Sequence, residues 1–165
     1  MKTSHPDIGK EYVSYCRRRL LKEYLPRIQQ CLGELTEEDV WWRGHETDNS
    51  IGNLIFHLCG NVRQWIISGI GGASDVRNRP REFAERGPVT KSELLKNLET
   101  TLQEADRTLE QFEPGKLLEV RHIQRDDITC LEAISHVVEH FAQHLGQIIY
   151  ITKLRRGIDL KFYNL

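Results

Sequence analysis

A chain of 165 residues has room for one substantial core, and a single domain over residues 1–165 accounts for the length. Its 39% hydrophobic and 28% charged residues exclude a disordered chain, and no apolar run is long enough to span a bilayer. With 23 basic and 24 acidic residues the net charge is −1, which leaves no positive excess to draw the chain to nucleic acid.

The opening residues carry no apolar leader, which predicts a cytoplasmic protein. Cys16, Cys31, Cys59 and Cys130 are scattered, form no Cys-x-x-Cys pair and read as reduced, hydrophobic packing residues.

In chain order, Tyr12, Cys16, Leu20, Tyr24, Ile28 and Cys31 recur at helical steps and predict a first long helix over residues 7–33. Pro26 should kink or break it near residues 24–26. Thr36 and Asp39 resemble the capped start of a short helix ending near Trp41 and Trp42. A second long helix should start after Asn49 or Ser50 and stop at Gly69, Gly71 and Gly72. Residues 73–89 read as a polar crossover loop. Its segment 77–86 is either a solvated charged loop or a recognition element for an anionic substrate.

Thr90 and Glu93 form a capping box for a third helix, which Pro114 and Gly115 end. Residues 116–124 carry a weak hairpin signal. A fourth helix opens at a second capping box, Thr129 and Glu132, and closes at Gly157 after Arg155 and Arg156. The predicted fold is therefore an all-α four-helix bundle with a crossover between the second and third long helices.

Four of the seven histidines lie on the second and fourth helices. His136, His140 and His144 occupy one strip of the fourth, at the flank of its apolar face. His57 lies in line with Asn53, Asn61 and Gln64 beside an apolar arc of the second. Two imidazoles one turn apart can bind one metal from the same side, and His57 is the obvious third donor. A competing motif overlaps: His136, Glu139 and His140 spell His-x-x-Glu-His, the inverted zinc-protease signature. His136 and His144 are about 12 Å apart along the helix, so one metal must take one pair or the other. His5, His45 and His122 fall in expected ends or loops and read as solvated polar residues.

The stretches NSIGNLIFHLCGNVRQWI (49–66), NRPREFAERGP (78–88) and ISHVVEHFAQHLGQIIYITKLRRGIDLKFY (134–163) resemble the DinB-like superfamily of metal-binding bundles, in particular a branch known only as a domain of unknown function. The resemblance covers nearly the whole chain. It implies that His57, His140 and His144 bind one divalent transition metal, zinc or nickel, and it favours this set over the inverted motif. It further implies a homodimer, for which Trp41, Trp42 and Tyr150, apolar residues without evident partners in one bundle, supply a second reason. Relatives include metal-dependent thiol transferases and proteins described as hydrolases, so the implied function is an enzyme acting on a small molecule, with a non-catalytic metal-binding or stress-response protein as the alternative.

Three neutral ligands would leave a metal its full charge and an open position, the pattern of a catalytic site. Asn61, Gln64 and Gln147 project near the same strips and are candidates to orient the ligands.

Overall fold

The computed structural model describes residues 7–163, which leaves His5 outside the described residues. Asp7 caps α1 (Ile8–Arg18) by accepting the Lys10 N–H. The helix passes through π-helical turns, Arg19–Tyr24, into α2 (Leu25–Glu34). Pro26 therefore does not break the helix. Its ring crowds the preceding turn and its nitrogen cannot donate, and the backbone answers by widening: the Leu25 N–H bonds five residues back to the Leu20 carbonyl.

The Thr36–Asp39 capping box starts the short α3 (Glu37–Trp41). Ser50 and Asn53 form a further box at the head of α4 (Ile51–Val62), which continues in π-helical turns over Arg63–Ile70 to the glycines. Gly72 there takes a φ of +78°, a left-handed value that suits glycine.

The expected polar loop contains a helix that the sequence reading missed, α5 (Arg79–Ala84). Asn78 caps it by accepting the Arg81 N–H, and Pro80 sits in its first turn, where its missing N–H costs nothing. The third long helix, α6 (Lys91–Gln111), starts at the Thr90–Glu93 box. The hairpin lies further along than expected: β1 (Val120–Ile123) pairs antiparallel with β2 (Asp126–Thr129), because Pro114–Lys116 forms a 3-10 turn and Gln124 turns the chain at a φ of 58°. The last helix, α7 (Cys130–Arg156), runs from the Thr129–Glu132 box to a left-handed Gly157.

Helices α1–α2, α4, α6 and α7 make the bundle, with α4 packed against both α6 and α7 and α2 against α7. The core is continuous: Tyr24 stacks on Phe141 at 5.7 Å between ring centres, among Ile28, Leu54, Leu58, Leu98 and Ile134. Two aromatics expected to lack partners have them. The Trp41 ring lies on Gly52, where an added Cβ would be 2.7 Å from it, and its Nε1–H donates to the Val89 carbonyl. Trp42 carries the Arg155 guanidinium 5.0 Å from its ring centre, and Arg155 in turn donates to the buried Asp39. Tyr150 and Leu154 remain exposed. All four cysteines are free and buried. Among the described residues no helix is long and apolar enough to cross a membrane.

Candidate metal centre

Helix α4 is buried on nearly every side, so its polar residues must find partners inside the protein. Asn53, His57 and Asn61, spaced one turn apart, are at most 4% exposed. Asn53 donates through Nδ2 to the carbonyls of Glu82 and Glu85, both at 2.9 Å, and so ties the end of α5 to α4 one turn before His57. On α7, Val137, Phe141, Leu145 and Ile148 are buried, and this turns His136, His140 and His144 toward α4 at the margin of the core.

The two helices bring three imidazoles together. Ring centres of His57 lie 4.9 Å from His140 and 5.0 Å from His144, and those of His140 and His144 are 4.4 Å apart. His57 and His140 approach Nε2 to Nε2 at 2.8 Å. One ring nitrogen from each of the three falls within 4.8 Å of the others, a spacing that one metal ion can bridge. Phe83 of α5 lies against His57, 4.8 Å between ring centres.

The outer nitrogens of two of these rings are engaged. His57 Nδ1 is 2.9 Å from Glu82 Oε2, and His144 Nδ1 is 2.7 Å from Gln147 Oε1. Both oxygens are acceptors, so each Nδ1 carries the proton and each Nε2 turns its lone pair toward the cluster, that of His57 accepting from His140 Nε2. Arg77 Nη2 also lies 3.2 Å from His57 Nδ1, but its proton is directed to Glu82 Oε2 at 2.9 Å, since a protonated Nδ1 cannot accept.

Burial, reinforced by the neighbouring rings of His144, His57 and His136, pushes His140 down to about 3. Burial likewise lowers His144 and His136. Burial works to raise the Glu82 carboxyl, but hydrogen bonds from Arg77 and His57 outweigh it and hold the group below the ordinary carboxylate range. At neutral pH His140 and His144 are thus uncharged, as metal ligands must be, and Glu82 is ionised.

Of the residues considered as supports, Gln147 touches a cluster histidine. Asn61 Nδ2 is 3.1 Å from His136 Nε2, and Gln64 binds Asp75 and Arg77. The His136 ring lies tilted against Trp65, 4.2 Å between ring centres, and is not among the three converging residues; Glu139 is exposed. The charged segment 77–86 is partly buried: the side chains of Arg77 and Glu82 are 5% and 9% exposed and form an ion pair of 2.7 Å. The sequence reading missed both. Asn78 followed by Pro80 is a helix-start signal that would have located α5, though not its pairing with His57. A cavity of about 600 Å³, bounded by Phe56, Arg63, Ile67 and Asn97, reaches Arg77 and Glu82 but none of the three histidines.

Comparison with curated proteins finds no match. A conserved protein from Enterococcus faecalis shares the fold at a TM-score of 0.70 with 16% identity, over 88% of this chain and 97% of that one. A DinB-like protein from Bacillus cereus does so at 0.66 with 14% identity, over 87% and 92%. The family profile described as protein of unknown function (DUF1572) matches residues 7–164. The chain belongs to this family, and its fold is like that of the DinB-like protein.

Proposed function

We propose that the protein holds one divalent transition metal, zinc or nickel, through His57, His140 and His144, and uses it on a small molecule. The observation that supports this reading is the convergence of three buried or half-buried imidazole nitrogens from two helices, two of them with their outer nitrogens already engaged. Three neutral nitrogens suit zinc or nickel better than magnesium or calcium, which favour oxygen.

When bound, such an ion would polarise an electrophile and acidify a water or a thiol. The protein's own part is to bring neutral imidazoles together and to orient them. Gln147 and Glu82 orient two rings, Phe83 shields one side of His57, and Asn61 with His136 borders the cluster as a polar neighbour for a bound molecule. This chemistry serves either transfer of a thiol to an electrophile or hydrolysis. A metal carrier or stress-response protein without turnover is the second reading, favoured by the half-buried His140 and His144, from which an ion could be handed on.

The same proposal places the protein in the cytoplasm, where four free thiols persist, and makes it a homodimer that covers Tyr150 and Leu154, 69% and 56% exposed. Elemental analysis of the purified protein, with zinc titrations of the wild type and of His57→Ala, His140→Ala and His144→Ala, tests the site. A screen of thiols with electrophiles and of esters and amides tests turnover. Stoichiometric metal that all three substitutions remove is expected; equal binding by the variants would defeat the reading. Light scattering at the 19.3 kDa monomer mass over a wide concentration range would remove the dimer.

A further inference from the structure

We infer that Arg77 and Glu82 form a charge-neutral mooring, seated on Gly60, that holds His57 in one tautomer with Nε2 presented to His140 and His144. The inference rests on the metal reading above for its purpose, but not for its geometry.

Glu82 spends both oxygens on this task. Oε1 accepts from Arg77 Nε at 2.7 Å, while Oε2 accepts from Arg77 Nη2 at 2.9 Å and from His57 Nδ1 at 2.9 Å. Arg77 Nη1 donates to Gln64 Oε1 at 2.8 Å. The fork of Arg77 therefore fixes the plane of the carboxylate, and the carboxylate fixes the plane of the imidazole. Asn53 fixes the backbone beneath, through the Glu82 and Glu85 carbonyls.

A buried ion pair is a poor source of stability, because well-packed apolar residues of the same volume commonly do as well or better. Its value here is positional. A carboxylate alone would add a negative charge beside the histidines; matched by Arg77, it orients His57 while the pair adds no net charge to the cluster. Gly60 makes the seat possible: a Cβ at that position would stand 1.9 Å from Glu82 Oε1 and 2.9 Å from Arg77 Nε. It lies on α4 within one turn of His57 and is not itself one of the converging residues.

The test uses two readouts on the full-length protein. Nitrogen NMR of the metal-free wild type at pH 7 should show His57 protonated at Nδ1. Glu82→Gln should disturb this, since its amide group must face an N–H of Arg77 or of His57. Zinc affinity by competition titration should fall about ten- to a hundredfold in Glu82→Gln, and comparably in Gly60→Ala, which alters no group that contacts the ion. Wild-type His57 protonated at Nε2, or both variants binding zinc within twofold of wild type with the tautomer unchanged, overturns the mooring even if their thermal stability is reduced. If the wild type binds no zinc, the metal reading fails by itself, and the tautomer in wild type and Glu82→Gln still decides this inference. The wild-type tautomer also decides it should a variant not fold.

Discussion

The two sides of the histidine cluster are built differently. On α7, His140 and His144 stand one turn apart on a single helix, and regular geometry alone sets their separation. On α4, one histidine is positioned by groups far along the chain, Glu82 at 2.9 Å with Arg77 behind it. The α7 side is local and half-buried; the α4 side is tertiary and buried. A site of this kind is only as well ordered as its tertiary half, so substitutions outside the histidines should act unequally on the two sides.

The largest effect should come from breaking the tertiary side by charge. Arg77→Met leaves Glu82 ionised and without its partner at 9% exposure, and should destabilise the protein by about 3–5 kcal/mol. Urea denaturation of metal-free protein measures this, and a loss under about 1 kcal/mol would mean that water already compensates Glu82.

Next comes the helical pair itself. His144→Ala removes one of three converging nitrogens and should weaken zinc binding more than about a hundredfold, beyond what a supporting residue costs. His136→Ala, whose ring contacts Asn61 and Trp65, should cost about tenfold or less. Titrations in which the two variants exchange places would restore the inverted motif.

The local side has its own support, and Gln147→Ala should sharpen the comparison. It frees His144 Nδ1, but the helix still sets the position of the ring, so the expected loss is about tenfold, at the lower end for such partners. A loss larger than that of Glu82→Gln would contradict the claim that the α4 side depends more on its support.

Acidity probes both sides together. His140 and His144 are depressed in the folded protein, so the unfolded chain takes up protons on them first as pH falls below about 6.5. Their contribution to stability is full above that pH and is lost progressively toward the folded value, about 3 for His140. The urea midpoint of the metal-free protein should therefore fall between pH 7 and 5, and His140→Gln should flatten the slope. The smallest effect expected is that of Thr129→Ala at the head of α7, about 1 kcal/mol by thermal melting with zinc affinity unchanged.

The same division explains what could be read without a structure. Helix α7 announces itself through Thr129, Glu132, Gly157 and a long apolar stripe, and its histidine spacing is a property of one segment. His57 was legible as a polar residue in line with Asn53 and Asn61 on a helix otherwise apolar. Glu82 was not, because α5 has only six residues, too few to show a period, and its neighbours Arg79, Arg81 and Arg86 look like any solvated charged stretch. The pairing of Glu82 with His57 spans 25 residues and depends on Asn53 holding the end of α5, a contact that no local pattern encodes. Pro26 shows the converse: the proline was visible, but whether the chain breaks or widens is decided by the packing of Leu20, Tyr24 and Ile28 on both sides of it.

The hold of Asn53 on the Glu82 and Glu85 carbonyls also bears on how the chain tolerates being cut. The link between α4 and the mooring runs through residues 71–76, all exposed, with Val76 at 87%. Past it, the backbone is clamped by Asn53 and the side chains by Gly60 and Gln64. A protease that nicks this link cuts an exposed tether whose own contacts, such as Asp75 on Gln64, are secondary to those that hold α5 on α4, and the two fragments should stay together with Glu82 still on His57. Inserted residues would be accommodated there for the same reason, whereas an insertion within Arg79–Ala84 would shift Glu82 off its ring.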